Sequence, residues 1–94
     1  MRLTANTLFE QIRHLPDAPG VYLMKDKTGR ILYVGKASSL RKRVGSYFTG
    51  NKDVKTRVLI SNVSDLETIT TRNGYEALVL ENNLIKQWQP RFNI

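Results

Sequence analysis

The hydrophobic pattern of the first third of the chain predicts a short helix followed by a β-hairpin. Thr7 and Glu10 have the spacing of a capping box, and Pro16 ends the helix that follows. Two runs rich in β-branched and aromatic residues, 21–25 and 31–34, are separated by a turn sequence over 26–30. The second run is apolar without alternation, which predicts a strand inside the sheet, covered on both faces. The apolar positions of the helix are Leu8, Phe9, Ile12 and Leu15.

Three further helices and one strand are predicted from residue 38 onward. Ser38 or Ser39 caps a helix that Gly50 stops, and Asp53 caps the next one. A run over 66–72, dense in Thr and Ile, is typical of a third strand. Asn73-Gly74 breaks this strand before a helix over about 75–87. The apolar positions of the two middle helices are Leu40, Val44, Tyr47 and Phe48 in one and Val54, Val58 and Leu59 in the other.

This order of elements predicts one small α/β (α+β) domain over residues 1–94. Its sheet has three strands, of which at least the first pair is antiparallel. Tyr47 and Phe48 lie on the apolar side of their helix, so they are expected in the core rather than on a surface that stacks on bases. We expect the 94 residues to be a fragment of a longer multidomain protein.

The charge distribution indicates a polyanionic partner. The net charge is +7, and ten basic residues but only two acidic ones lie between residues 25 and 57. Such a basic block on an otherwise neutral domain is typical of a protein that binds nucleic acid. A basic face that only keeps the protein soluble is the alternative. A membrane surface fits less well, because no long amphipathic helix accompanies the basic block.

The absence of cysteine restricts the chemistry and the compartment. A chain with no cysteine has neither disulfides nor thiolate metal sites, and it is compatible with the reducing cytoplasm, where we expect it. There is also no apolar run of membrane-spanning length, so no membrane association is expected.

The last predicted helix carries a carboxylate on its apolar side. At about 100° per residue, Glu81 falls within the arc that the apolar residues form. An ionised carboxylate there is costly unless it is paired, hydrogen-bonded or bound to a metal. An ion pair with a buried Arg or Lys and a hard divalent cation are both open explanations. No second carboxylate and no His pair accompany Glu81, so such an ion would be held mostly by water and substrate phosphate, as Mg²⁺ or Mn²⁺ can be. The arc consists of Ala77, Leu80, Leu84, Ile85 and Trp88.

Two tyrosine–glycine motifs in the hairpin resemble a known nuclease family. Gly20-Val21-Tyr22 opens the first strand, and Tyr33-Val34-Gly35 closes the second. Further matching segments are Lys36-Ala37, Leu40, Arg43, Ser46-Tyr47-Phe48, Glu76-Ala77-Leu78, Leu80-Glu81-x-x-Leu84-Ile85-Lys86 and Pro90-Arg91-Phe92-Asn93-Ile94. Together they resemble the GIY-YIG nuclease superfamily, and within it the N-terminal endonuclease domains of UvrC, the incision subunit of bacterial nucleotide excision repair. The resemblance spans roughly residues 15–94.

The resemblance implies a fold, an activity and partners. The fold is a central three-stranded antiparallel sheet flanked by helices. The activity is a divalent-metal-dependent endonuclease that hydrolyses a DNA phosphodiester bond on the 3′ side of a lesion with one Mg²⁺ or Mn²⁺ ion. Its substrate is double-stranded DNA containing a lesion, UvrB binds through other parts of the full-length protein, and the isolated domain is monomeric. The alternatives are a stand-alone or differently fused GIY-YIG nuclease and a catalytically silent DNA-binding module.

The family's site residues carry over to positions of this chain. The implied metal ligand is Glu81. Tyr33 is the candidate general base, with Tyr22 as the alternative base or as the group that relays the proton or fixes the water. Lowering the pKa of Tyr33 toward neutrality is assigned to Lys36, the metal and nearby arginines. Gly20 and Gly35 are expected to be structural at the site, and Gly35 is also expected to leave room for the DNA backbone. The implied catalytic residues are Tyr22, Tyr33, Lys36, Arg43 and Asn93.

The remaining basic residues of the block are interpreted as contacts to DNA phosphates that carry no sequence information. They are Arg41, Lys42, Lys52, Lys55 and Arg57. The single histidine, His14, lies outside the matched motifs and is expected at the surface.

Overall fold

A computed structural model describes residues 5–94 of the chain, and their elements follow the predicted order. The helices are α1 (Ala5–Arg13), α2 (Leu40–Ser46), α3 (Val54–Asn62) and α4 (Gly74–Trp88). The strands are β1 (Gly20–Lys25), β2 (Ile31–Ala37) and β3 (Asp65–Thr70), and a 3₁₀ turn, η1 (Arg91–Asn93), follows α4. Within residues 5–94, no helix is both long and apolar enough to cross a membrane.

The three strands form one antiparallel sheet in the order β2-β1-β3, which confirms the predicted fold class. The prediction that residues 31–34 lie inside the sheet is wrong. β2 is an edge strand, and its Ile31 and Tyr33 are only half-buried. β1 is the central strand, because it pairs with both β2 and β3. Its side chains are apolar on both faces, and its residues are buried from Gly20 to Met24.

Helices cover both faces of the sheet and divide the core into two clusters. On one face, Tyr22 and Met24 of β1 pack with apolar residues of α1, α2 and α3. On the other face, Val21 and Leu23 pack against α4. The first cluster also contains Ile12, Leu15, Leu40, Val44, Leu59 and Leu66, and the second contains Val34 and Ala77 with Leu80, Leu84 and Ile85 at its border.

α2 and α3 begin at predicted caps, and α4 begins after Asn73, which was predicted only to end the third strand. Ser39, Asp53 and Asn73 each accept a hydrogen bond from the backbone N–H three residues later, which stabilises the first turn of α2, α3 and α4. The capping box at Thr7 is wrong, because α1 already includes Thr7. The prediction that Gly50 ends the helix is wrong, because α2 ends four residues earlier, at Ser46. Gly50 lies in the following turn with a left-handed φ of 71°.

Several residues expected on apolar helix faces lie at the surface. In α3 only Leu59 is buried, and Ile60 packs against the core while half-buried. Trp88 is at the end of α4, where it borders an open groove instead of the core. The exposed residues are Phe9, Val54, Val58 and Trp88.

Candidate active site at the free edge of β2

At the free edge of β2, side chains rather than a fourth strand form hydrogen bonds with the backbone. Its other edge pairs with β1, so every second residue of β2 directs its backbone N–H and C=O away from the sheet. At Val34, the Asn93 side chain satisfies both groups. Oδ1 of Asn93 accepts from the Val34 N–H, and Nδ2 donates to the Val34 carbonyl, each at 2.9 Å. Asn93 therefore covers the strand edge in the way that a neighbouring strand would.

Glu81 bonds to the same edge two residues further along. Its Oε2 accepts a hydrogen bond from the backbone N–H of Lys36 at 2.9 Å. The ion pair considered from the sequence is not found: within residues 5–94, the three ion pairs formed by basic side chains are those of Arg13, Lys25 and Arg72. The half-buried carboxylate is thus positioned by a backbone amide, while the Lys36 side chain is exposed.

The surroundings of Glu81 fit a hard divalent cation held by few protein ligands. Nowhere in the described part of the chain do three or more His, Cys, Asp or Glu residues cluster as a metal site. Oε1 of Glu81 accepts no hydrogen bond from the described residues, so it is available to a cation. Mg²⁺ usually keeps several waters and binds through one or two carboxylates, whereas Zn²⁺ sites need three or four protein ligands.

Three tyrosines form a cluster on the opposite face of the sheet from α4. The ring centroids of Tyr22, Tyr33 and Tyr47 lie 5.8–6.4 Å apart in tilted and edge-to-face arrangements. The hydroxyls of Tyr22 and Tyr47 are hydrogen-bonded at 2.8 Å. Tyr47 was expected to be a core residue, and its ring does pack against the core. Its hydroxyl nevertheless joins the site, because α2 ends just before Tyr47 and presents it beside Tyr22.

Arg43 adds a fixed positive charge to the cluster. Its Nη2 donates to the Tyr47 hydroxyl at 3.4 Å, and its guanidinium carbon lies 5.0 Å from the centroid of the Tyr47 ring. Tyr22 raises the pKa of Arg43 electrostatically, which keeps the guanidinium charged. The side chain remains exposed and can reach an anionic ligand.

The protein's own groups raise the pKa of Tyr33. Burial is the largest cause, followed by Tyr47, and together they raise the pKa of Tyr33 to about 12. Arg43 lowers this pKa, but by less. Burial also raises the pKa of Tyr47 to about 12 and the pKa of Tyr22 above its usual value. All three phenols are therefore protonated at neutral pH and can donate hydrogen bonds.

The two motif glycines make room for protein atoms. Gly35 lies opposite Tyr22 in the β1–β2 pair, and a Cβ at Gly35 would overlap the Tyr22 ring and hydroxyl. Gly35 therefore has the expected structural role, and the space left by its missing side chain is filled by Tyr22. A Cβ at Gly20 would collide with the backbone carbonyl of Ile69 and the side chain of Leu40, so Gly20 has the expected structural role.

The structure divides the predicted DNA contacts into two groups. Lys52 and Lys55 line a cavity that also contacts Tyr33 and Arg43. The predicted contacts that lie outside this cavity, exposed on α2 and α3, are Arg41, Lys42 and Arg57.

His14 is exposed and hydrogen-bonded to the Glu10 carbonyl, outside the site, as expected.

Comparison with known proteins gives consistent matches over almost the whole chain. The family model of the UvrC-like GIY-YIG domain matches residues 18–94. UvrABC system protein C of Treponema denticola is 54% identical over 91 residues, which cover 97% of this chain and 14% of that protein. The corresponding protein of Moorella thermoacetica is 55% identical over 87 residues, 93% of this chain and 14% of its own length.

Solved structures of one domain resemble this fold closely. The GIY-YIG N-terminal endonuclease domain of UvrC from Thermotoga maritima, bound to magnesium, superimposes with a TM-score of 0.88 and 36% identity, covering 97% of this chain and 100% of that one. A point mutant of that domain in which a tyrosine is replaced by phenylalanine, bound to its catalytic divalent cation, matches with the same TM-score and 35% identity.

Replacing Gly35 by Ala should destabilise the fold by about 1–3 kcal/mol, because the new methyl group displaces the Tyr22 ring from a packed site. The free energy of unfolding in urea measures this. Gly45→Ala is the matched control, since a Cβ at Gly45 meets nothing within 4 Å and Ala favours the helix. Equal stabilities of the two variants would contradict the close packing of Gly35 on Tyr22.

The free energy of unfolding should fall as the pH rises from about 10 to 12. Unfolded tyrosines lose their protons near pH 10, whereas folded Tyr33 and Tyr47 retain theirs up to about pH 12. The stability linked to these protons is therefore fully present below pH 10 and is lost as the pH approaches 12. Urea unfolding at a series of pH values should give a shallower decline for Tyr47→Phe than for the native chain. Tyr75→Phe, at a residue that is 76% exposed, should leave the decline unchanged.

Proposed function

Because the chain belongs to the UvrC-like GIY-YIG domain family, we propose that it hydrolyses a DNA phosphodiester bond on the 3′ side of a lesion in bacterial nucleotide excision repair. The observation that carries this proposal is the position of Glu81. A single carboxylate, fixed on the Lys36 amide and with Oε1 not bonded by any described residue, lies at the edge of the strand that carries Tyr33. Such an arrangement is suited to a metal-dependent endonuclease.

Glu81 is the proposed ligand of one Mg²⁺ or Mn²⁺ ion, which water and the DNA phosphate would otherwise coordinate. The magnesium bound to the Thermotoga domain supports the choice of a divalent cation. When bound, the ion neutralises charge on the phosphate and assists departure of the 3′ oxygen. The amide of Lys36 orients the carboxylate, which restricts where Oε1 can bind a cation.

Arg43 is the proposed electrophilic partner of the scissile phosphate. Its guanidinium stays charged and exposed, and it can donate two parallel hydrogen bonds to non-bridging oxygens that gain charge in the transition state. The hydrogen bond to Tyr47 and the contact with its ring limit the orientations of the guanidinium. Lys36, exposed on β2, supplies a second positive charge near the phosphate.

Tyr33 is the proposed group that orients the attacking water and accepts its proton. With a pKa of about 12 it is protonated in the protein alone, so positive charge from the bound divalent cation would be needed for it to act as a base. Tyr22, hydrogen-bonded to Tyr47, holds the phenol cluster in place and can relay the proton. Asn93 is assigned a positioning role, since its amide is engaged by the backbone of the residue that follows Tyr33.

The wider reaction depends on more than this domain. The chain spans 14% of the length of the curated relatives it matches, which supports its being one domain of a longer multidomain protein. Lesion-containing double-stranded DNA is the proposed substrate, and UvrB is the proposed partner through other parts of the protein. The proposed setting is the cytoplasm, with the isolated domain monomeric. Retention of Tyr33, Arg43 and Glu81 in one site argues against a catalytically silent DNA-binding module.

Glu81→Gln in the full-length protein should lower the rate of the 3′ nick by roughly a hundredfold or more, because an amide is a far weaker ligand for a hard cation. Nicking is scored on lesion-containing duplex loaded with UvrB, and binding to the same duplex should be retained. Glu76→Gln, in the first turn of the same helix, is the matched control and should nick at nearly the native rate. Undiminished nicking by the Glu81 variant would overturn its assignment as the metal ligand.

A further inference from the structure

A cavity of about 270 Å³ opens beside the tyrosine cluster. One side of it is formed by residues that the proposed reaction uses, namely Tyr33, Arg43 and Tyr47. The other side is formed by residues to which no role has been assigned in the reaction. These are Ser46, Lys52, Lys55, Thr56, Leu59 and Phe92.

The cavity is strongly cationic. Arg43, Lys52 and Lys55 line it, and among the described residues that surround it there is no acidic side chain. Lys52 is half-buried, although lysines are usually exposed, and it takes part in none of the ion pairs found within residues 5–94. A cation in such a recess favours an anionic ligand, because burial against low-dielectric walls strengthens the attraction.

The three cations are not equally available to a ligand. Arg43 contacts Tyr47 and faces the reaction centre. Lys55 donates a hydrogen bond from Nζ to the carbonyl of Ile94 at 3.1 Å, which ties α3 to the chain after η1. Lys52 is therefore the cation best placed to bind a ligand within the cavity.

The remaining lining is suited to a sugar next to the anion. Leu59 and Phe92 contribute apolar surface, and Thr56 contributes a hydroxyl. Ser46 donates its hydroxyl hydrogen to the carbonyl of Arg43, so it is not a donor to the ligand. Apolar surface next to cations matches the carbon ring of a deoxyribose and its anionic phosphate, and none of these groups reads a base.

We propose that this cavity binds the phosphate and deoxyribose of the nucleotide next to the scissile bond in the cleaved strand, with Lys52 as the principal phosphate contact. The proposal rests on the endonuclease function proposed above. Because the cavity and the reaction centre share Tyr33 and Arg43, a strand held in the cavity continues directly to the phosphate that is cut. The site thereby fixes the strand's position without regard to sequence.

The test combines Lys52→Ala with DNA in which single phosphates are neutralised. Full-length protein and its UvrB partner act on lesion duplexes that carry one methylphosphonate at each position within about two nucleotides of the cut. At one flanking position the native protein should nick roughly tenfold more slowly. Lys52→Ala should nick unmodified DNA more slowly by a similar factor, and the methylphosphonate at that position should cost it little more. Lys52→Arg should recover most of the native rate.

Two outcomes would overturn the proposal. One is a Lys52→Ala variant that nicks unmodified DNA as fast as the control variant Lys27→Ala, whose exposed lysine lies in the hairpin turn. The other is a full additional loss in Lys52→Ala at every methylphosphonate position, since independent effects multiply.

The binding affinities of the same variants for the same duplexes distinguish a failure of this proposal from a failure of the proposed endonuclease function. If native protein does not nick at all, the endonuclease function fails while the binding measurement still tests the cavity. Lys52→Ala should lower the slope of log affinity against log salt by about 0.9, the value for one lost phosphate contact. A slope equal to that of Lys27→Ala would contradict the proposal.

Discussion

The unpaired backbone groups at the free edge of β2 impose the constraint on which the site depends. A strand edge that is neither solvated nor paired is unstable, so its N–H and C=O groups need partners. Here the partners are two side chains from the end of the sequence, Asn93 at Val34 and Glu81 at Lys36. The hydrogen bonds that complete the sheet are therefore the same ones that place a carboxylate next to the tyrosines. Folding and assembly of the site are one process.

The pairing of β2 with β1 determines the position of the tyrosines, the other half of the site. Gly35 pairs with Tyr22 and has no side chain, so the Tyr22 ring lies across it and reaches the hydroxyl of Tyr47. Arg43 then packs on Tyr47 from α2. The phenols are too buried to ionise easily, so at neutral pH they form a rigid cluster of hydrogen-bond donors. Glycine is thus required here by packing.

Local features of the fold and the antiparallel hairpin could be predicted from the sequence, but the position of each strand in the sheet could not. The caps Ser39 and Asp53 depend on residues three positions apart, so their pattern was readable. β2 was misplaced because apolar residues without alternation occur both in central strands and in edge strands that side chains cover. Helical spacing marked Glu81 as unusual, yet the family resemblance was needed to favour a metal over an ion pair. Tyr47 was missed as a site residue because a phenol on an apolar helix face resembles a core residue.

Amide hydrogen exchange at Lys36 tests most directly whether the edge of β2 positions the site. Measured by NMR on the 94-residue chain, the Lys36 and Val34 amides should both be protected, although both point away from β1. Glu81→Ala should accelerate exchange at Lys36 and leave Val34 protected. Rapid exchange of Lys36 in the native chain, or protection of Lys36 that persists in Glu81→Ala, would contradict the account.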